Sequence, residues 1–301
     1  MGTFYIEYEY WLAAFQLVMA MLGMGAALTP KDFREVLIEP KAVSTGSLIQ
    51  VLLVPVIGLL FIQVFGLAGG VAVGVAIIVS IPGGSSSNIF THFARGNIAL
   101  SITITALTTL ACLITVPLIL DALISGYMRD GFAVPRIAIM KEIALTLLLP
   151  LTLGMAFLRY FPDWAETFST WCVRASLFGL LVIVVGSSMS GRLDAEVFGQ
   201  GNMLMLSLLL VTLVFLSWLV CRLMGLSTYD AAAIEMEVTV RNINLGIMLK
   251  ASLFPAVAGV ADPVGDMALF SLLFYGAVQM LISGGMIAWS RLLRGTTAAA
   301  T

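Results

Sequence analysis

Apolar stretches of about twenty residues recur along the chain, and nothing constrains its fold more. Nine can be marked, at roughly 10–28, 43–66, 70–93, 98–124, 134–159, 165–188, 203–225, 230–252 and 266–292. A helix needs about 20 apolar residues to cross the hydrocarbon core of a bilayer. The connections are short and carry turn residues, as in "GLAGG", "ARGN" and "GLSTYD". Charged residues make up 11% of the sequence, against about 25% in soluble domains. The expected fold is therefore an all-α polytopic membrane protein of about nine transmembrane helices, with the lipid bilayer as its solvent. No separate soluble domain is expected within 1–301.

Several functions are excluded at this point. His92 is the only histidine, so neither a His-based triad nor a His-rich metal centre can be assembled. No cluster of catalytic or metal-ligating residues is apparent, so an enzyme is not expected. Cys112, Cys172 and Cys221 sit in or beside apolar segments without CxxC spacing and read as small packing residues. There is no basic run for nucleic acid, and nothing implies a protein partner. The N-terminal "MGTFYIEYEYW" lacks the features of a signal peptide.

Orientation follows Lys and Arg in short loops. Lys31, Arg34, Lys41, Arg95, Arg159, Arg222, Arg291 and Arg294 fall on one side, and Arg129, Arg136, Arg192 and Lys250 on the other. The expectation is a cell-membrane protein with its N-terminus outside and its C-terminus in the cytoplasm. Lys141, Glu142 and Arg174 read as snorkelling or locally paired charges.

Two spans are interrupted. The third contains "SIPGGSSSN", where Pro82 removes a backbone donor and Gly83 and Gly84 permit an unwound path. The eighth contains "IEMEVTVRNINLGIML", with Glu235, Glu237, Arg241, Asn242 and Asn244 inside an apolar span. A charge at the bilayer centre costs about 2.5–3.5 kcal/mol on insertion scales and is a functional-site hypothesis by default. A helical ion pair of Glu237 with Arg241 is the plain structural alternative. The breaks fit an inverted repeat, about 10–124 and 134–292, with two discontinuous crossing helices. Paired broken helices point to a transporter site at the midplane.

Sodium is a hard cation that needs several oxygens. Ser87 and Asn88 offer them at the first break. Ser101 and Thr105, four residues apart, share one face of the next helix. Glu237 supplies a negative charge.

The stretch "PGGSSSNIFTHFARGNIALSITIT" resembles the bile acid:sodium symporter family, in particular the bacterial homologues of the bile-acid carriers. The likeness extends to "GMGAALTPKDF" after the first span and to "IEMEVTVRNINL". It covers essentially the whole chain. It implies secondary active transport by alternating access, with Na+ as coupling ion and a small organic anion as substrate. It also implies one sodium site made by Ser87, Asn88, Ser101, Thr105 and Glu237. The family's second sodium site uses two glutamines. Gln50 matches the first, but Arg241 stands in place of the second, and a guanidinium has only donors. This second site is thus expected to be degenerate, with Arg241 a fixed charge paired to Glu237 or Glu235, or else a clamp on the anionic substrate.

By the same resemblance Asn242 faces the substrate, and Ser85, at the positive helix N-terminus after the first break, is placed to face it too. Many relatives carry a His-Asn pair where this chain has Phe274 and Tyr275, so bile acid itself does not transfer. A coenzyme precursor or sulfonate fits as well. Two other readings stay open: a proton-coupled carrier of the same fold, and a non-transporting sensor built on it.

Overall fold

The computed structural model describes residues 2–29, 40–124, 134–257, 260 and 262–298. Twelve helices are described: α1 (Gly2–Gly25), α2 (Pro40–Val64), α3 (Gly69–Ser80), α4 (Ser85–Phe93), α5 (Ile98–Ile124), α6 (Arg136–Tyr160), α7 (Pro162–Met189), α8 (Ala195–Phe198), α9 (Gln200–Leu223), α10 (Thr228–Thr239), α11 (Ile243–Leu253) and α12 (Pro263–Ala298). Among them, α2, α5, α6, α7, α9 and α12 are long and apolar enough to cross a membrane. The third and eighth expected spans are each divided in two, at Ile81–Gly84 and Val240–Asn242. Lys31, Arg34 and Arg129, and the side chain of Arg294, used above for orientation, lie outside the described residues.

Two packing units are visible. In the first, α1 is pressed against α6 and α7 through small residues. A methyl group on Gly25 would strike the backbone of Leu151, and one on Gly186 would strike the Tyr5 ring. Lipid gives helices no hydrophobic reason to associate, so close approach at glycine supplies contact instead. In the second unit, every residue of α3 from Gly70 to Ser80 is buried. Gly70 and Gly74 let α3 lie directly on α12 at Val264, Met267 and Ser271. Both α2 and α6 contain a π-helical turn, at Ile49–Leu53 and Ala144–Leu148. In each, a proline follows shortly after, Pro55 or Pro150. The π turn of α2 carries Gln50.

Helix α1 starts well before the expected residue 10, and one face of its first turns, with Tyr5 and Glu9, is buried. Tyr5 is buried and donates to Glu9 at 3.0 Å. Arg192 and Lys250, expected as loop charges, are also buried. Lys250 Nζ lies 2.7 Å from Glu9, and Arg192 lies 3.3 Å from Glu9 and 2.8 Å from Asp266. Glu142 accepts from Tyr10 at 2.9 Å. Arg174 sits over the Trp171 ring, 5.3 Å from its centroid. The three cysteines are free and buried.

Candidate functional site

A broken helix leaves backbone N–H and C=O groups that hydrocarbon cannot satisfy. Here the two breaks satisfy each other. Gly84 N donates to Val240 O at 2.9 Å, and Asn242 N donates to Pro82 O at 2.9 Å. Gly83 and Arg241 thus face one another as an antiparallel bridge. A side chain at position 83 would collide with the Glu237 carboxylate, which is why glycine stands there. Two residues of α12 complete the pairing. The Gln279 amide accepts from Arg241 N at 3.0 Å and donates to Arg241 O at 3.4 Å. Tyr275 donates to Thr239 O, at the end of α10, at 3.4 Å.

Glu237, on the last turn of α10, is wholly buried. Its Oε1 meets three hydroxyls. Ser101 and Thr105 each lie at 2.7 Å, and Ser87 donates to the same oxygen. Oε2 accepts from Gln50 Nε2 at 3.3 Å. The Asn88 Oδ1 lies 2.8 Å from Ser101 Oγ and 3.2 Å from Thr105 Oγ1. Five side-chain oxygens, from α4, α5 and α10, therefore crowd one point. A hydroxyl carries a single proton, so Ser101 and Thr105 cannot donate to Asn88 and Glu237 at once. The cluster has more acceptor capacity than donors, and one formal negative charge. That donor set is the chemistry a hard monovalent cation needs.

Arg241 is 2% exposed, and Gln50 stands between it and Glu237. Its guanidinium donates to Gln50 Oε1 at 3.2 Å, to Ile78 O at 3.4 Å, to Val79 O at 3.5 Å and to Ile81 O. Those carbonyls end α3, where a helix carries partial negative charge. Gln50 Oε1 also accepts from Gly83 N at 2.8 Å. The expected ion pair with Glu237 or Glu235 is not how Arg241 is held. Helix α10 ends at Thr239, so the i, i+4 spacing of 237 and 241 does not act on one helical face.

Of the residues anticipated from sequence, Ser87, Asn88, Ser101, Thr105 and Glu237 come together, and Gln50 lies between Glu237 and Arg241. Asn242 is buried and caps α11, its oxygen accepting from Leu245 N at 3.2 Å. Ser85 opens α4 and is half-buried. Gln279 was not anticipated. Its only signal was an amide alone in the apolar run "GAVQMLI".

Helices of this length and apolarity make the protein an integral membrane protein. The profile of the Sodium Bile acid symporter family matches residues 14–194, and the chain belongs to that family. It is 30% identical over 234 residues to the "Probable sodium/metabolite cotransporter BASS1, chloroplastic" of Arabidopsis thaliana, covering 77% of this chain and 57% of that protein. It is 27% identical to the "Uncharacterized sodium-dependent transporter YocS" of Bacillus subtilis, covering 93% and 84%. It is 26% identical to the human "Ileal sodium/bile acid cotransporter", covering 76% and 66%. The chain thus spans little more than half the length of that Arabidopsis relative. The family and these relatives are transporters, not enzymes.

Proposed function

We propose that the protein is a secondary active carrier that moves a small organic anion together with sodium by alternating access. The observation that carries this reading is the cluster of five oxygens around Glu237, set beside a crossing of two broken helices. One sodium ion is bound by Ser87, Asn88, Ser101, Thr105 and Glu237. Its arrival withdraws Ser101 and Thr105 from hydrogen bonding to the carboxylate and uses their lone pairs. Arg241 stands as a permanent cation among the carbonyls of Ile78, Val79 and Ile81, so the second family site is filled by the protein. Burial and four oxygen partners favour this over a substrate clamp. Ser85 and Asn242 lie at the starts of α4 and α11 and line the substrate path, where helix N-termini favour an anion.

The same reading takes the chain as a single transport domain with nine crossings. The two broken spans are equivalent parts of an inverted repeat, about 10–124 and 134–292. The N-terminus lies outside and the C-terminus in the cytoplasm. The burial of Arg192 and Lys250 as ion pairs removes two charges from the less basic side and strengthens the positive-inside bias.

The test is thermal stability of purified protein in NaCl, with KCl and choline chloride as controls. Sodium at one hundred times its Kd adds about 2.7 kcal/mol of stability. Wild type is expected to show a sodium-specific rise in Tm, and Glu237→Ala none. If wild type responds equally to all three salts, sodium coupling is wrong, and a proton-coupled carrier or a non-transporting sensor takes its place.

A further inference from the structure

At the end of the molecule holding the α1 N-terminus, three buried charges, Glu9, Lys250 and Arg192, meet a fourth, Asp266, whose side chain is 26% exposed, outside the sodium cluster. Glu9 of α1 uses both its oxygens. Oε1 accepts from Lys250 Nζ at 2.7 Å and Tyr5 Oη at 3.0 Å. Oε2 accepts from Arg192 at 3.3 Å and Ala256 N at 3.2 Å. Arg192 Nε also lies 2.8 Å from Asp266 Oδ1, though its N–H does not aim at that oxygen. The Lys250 and Glu9 side chains are 0% and 3% exposed, and Arg192 is 6%.

These links join α1 and the end of α7 to α11 and α12. Glu9 belongs to the unit of α1, α6 and α7. Lys250 ends α11, and Asp266 begins α12. Arg192, just after α7, contacts the acids of both α1 and α12. Nearer the middle of α1, Gln16 donates to Asn244 O at 2.9 Å and repeats the same link in a weaker form. Glu9, Ala13 and Gln16 lie on one face of α1. A cavity of about 200 Å³ opens on this end of the molecule, lined by Arg192, Asp194, Phe198, Asp266, Met267 and Phe270. The Arg192–Asp266 contact forms part of its wall.

We propose that Glu9, Lys250, Arg192 and Asp266 form the gate that seals this face above the helix crossing, and that it comes apart whenever the face opens. The proposal rests on the carrier reading. The tetrad has two positive and two negative members, so closing buries no net charge. Opening returns each charge to water and forfeits the pairings. Two states of this kind can lie close in energy, because desolvation and Coulomb attraction nearly offset each other. Removing one member upsets the balance in a defined direction. Glu9→Gln removes the carboxylate that both Lys250 and Arg192 touch, leaving Asp266 on Arg192 and Asp262 near Lys250, which penalises the closed state. Adding Lys250→Met restores neutrality.

The test uses Ala13→Cys as a probe one turn inward from Glu9, with Cys112, Cys172 and Cys221 replaced by alanine. A membrane-impermeant maleimide is applied from each side, in intact cells and in inside-out vesicles. With the tetrad intact, labelling from the tetrad face is slow. Glu9→Gln is expected to raise it about tenfold, the equivalent of about 1.4 kcal/mol. Glu9→Gln with Lys250→Met is expected to return it to within about twofold of the intact rate. An unchanged rate in Glu9→Gln, or a double variant that labels as fast as the single, overturns the gate. Retention of the sodium-specific Tm shift in each variant separates opening from unfolding. Loss of that shift in the unaltered protein would instead count against the carrier reading. If Glu9→Gln does not fold, Asp266→Asn, which cuts only the Arg192 link to α12, carries the same test. It is expected to give a rise of about threefold, and no rise overturns the gate.

Discussion

Glu237 and Lys250 are both wholly buried, and their surroundings neutralise them in opposite ways. Lys250 meets a carboxylate, and that carboxylate meets Arg192. Glu237 meets hydroxyls and an amide, while Arg241, a few residues on, meets carbonyls. The two charges of the crossing do not pair with each other. A charge held by neutral dipoles can exchange part of its shell for an ion, because hydroxyl oxygens accept as readily as they donate. A charge held by an opposite charge ties two elements together instead. The first arrangement suits a binding site, and the second suits a joint.

Variants that unbalance one region and not the other sharpen this contrast. The largest effect is expected from Lys250→Met, which leaves Glu9 buried with a reduced set of partners. Removing one member of a buried pair costs about 3–5 kcal/mol. Tyr5, Arg192 and Ala256 N remain on Glu9, so a loss of about 3 kcal/mol is expected. The measurement is denaturation of the purified protein, and an effect below about 1 kcal/mol would place the pair among weak surface bridges. A smaller effect is expected from Gln279→Leu, which leaves the N–H and C=O of Arg241 without the amide that pairs with them. The expected loss is about 1–3 kcal/mol, with a sodium-specific Tm shift that persists but needs more sodium. Full sodium affinity in Gln279→Leu would show that the break is held without Gln279.

Much of this organisation is legible in the sequence, for local reasons. Pro82, Gly83 and Gly84 announce the first break because each alters the backbone at its own position. The second break, Val240–Asn242, contains neither Pro nor Gly and is visible only as polar residues in an apolar span. Convergence of Ser87, Asn88, Ser101, Thr105 and Glu237 follows from family likeness rather than from spacing, since Glu237 lies more than a hundred residues from the others. The direction of Arg241 is not legible. Its sequence neighbour Glu237 is the obvious partner, but the end of α10 at Thr239 turns the chain, and the end of α3 offers carbonyls instead. The tetrad escapes for a related reason. Arg192 follows a turn glycine and Lys250 stands near the end of an apolar span, so both look like loop charges, while Glu9, the acid they share, is 183 and 241 residues away.

The most direct test is the number of sodium ions bound. Equilibrium binding of radioactive sodium to purified protein should give one ion per chain in wild type. It should give two in Arg241→Gln, where an amide oxygen and the freed carbonyls of Ile78, Val79 and Ile81 can replace the guanidinium. Two ions in the wild type, or an unchanged single ion in Arg241→Gln, would contradict the assignment of Arg241 as the built-in cation of the second site.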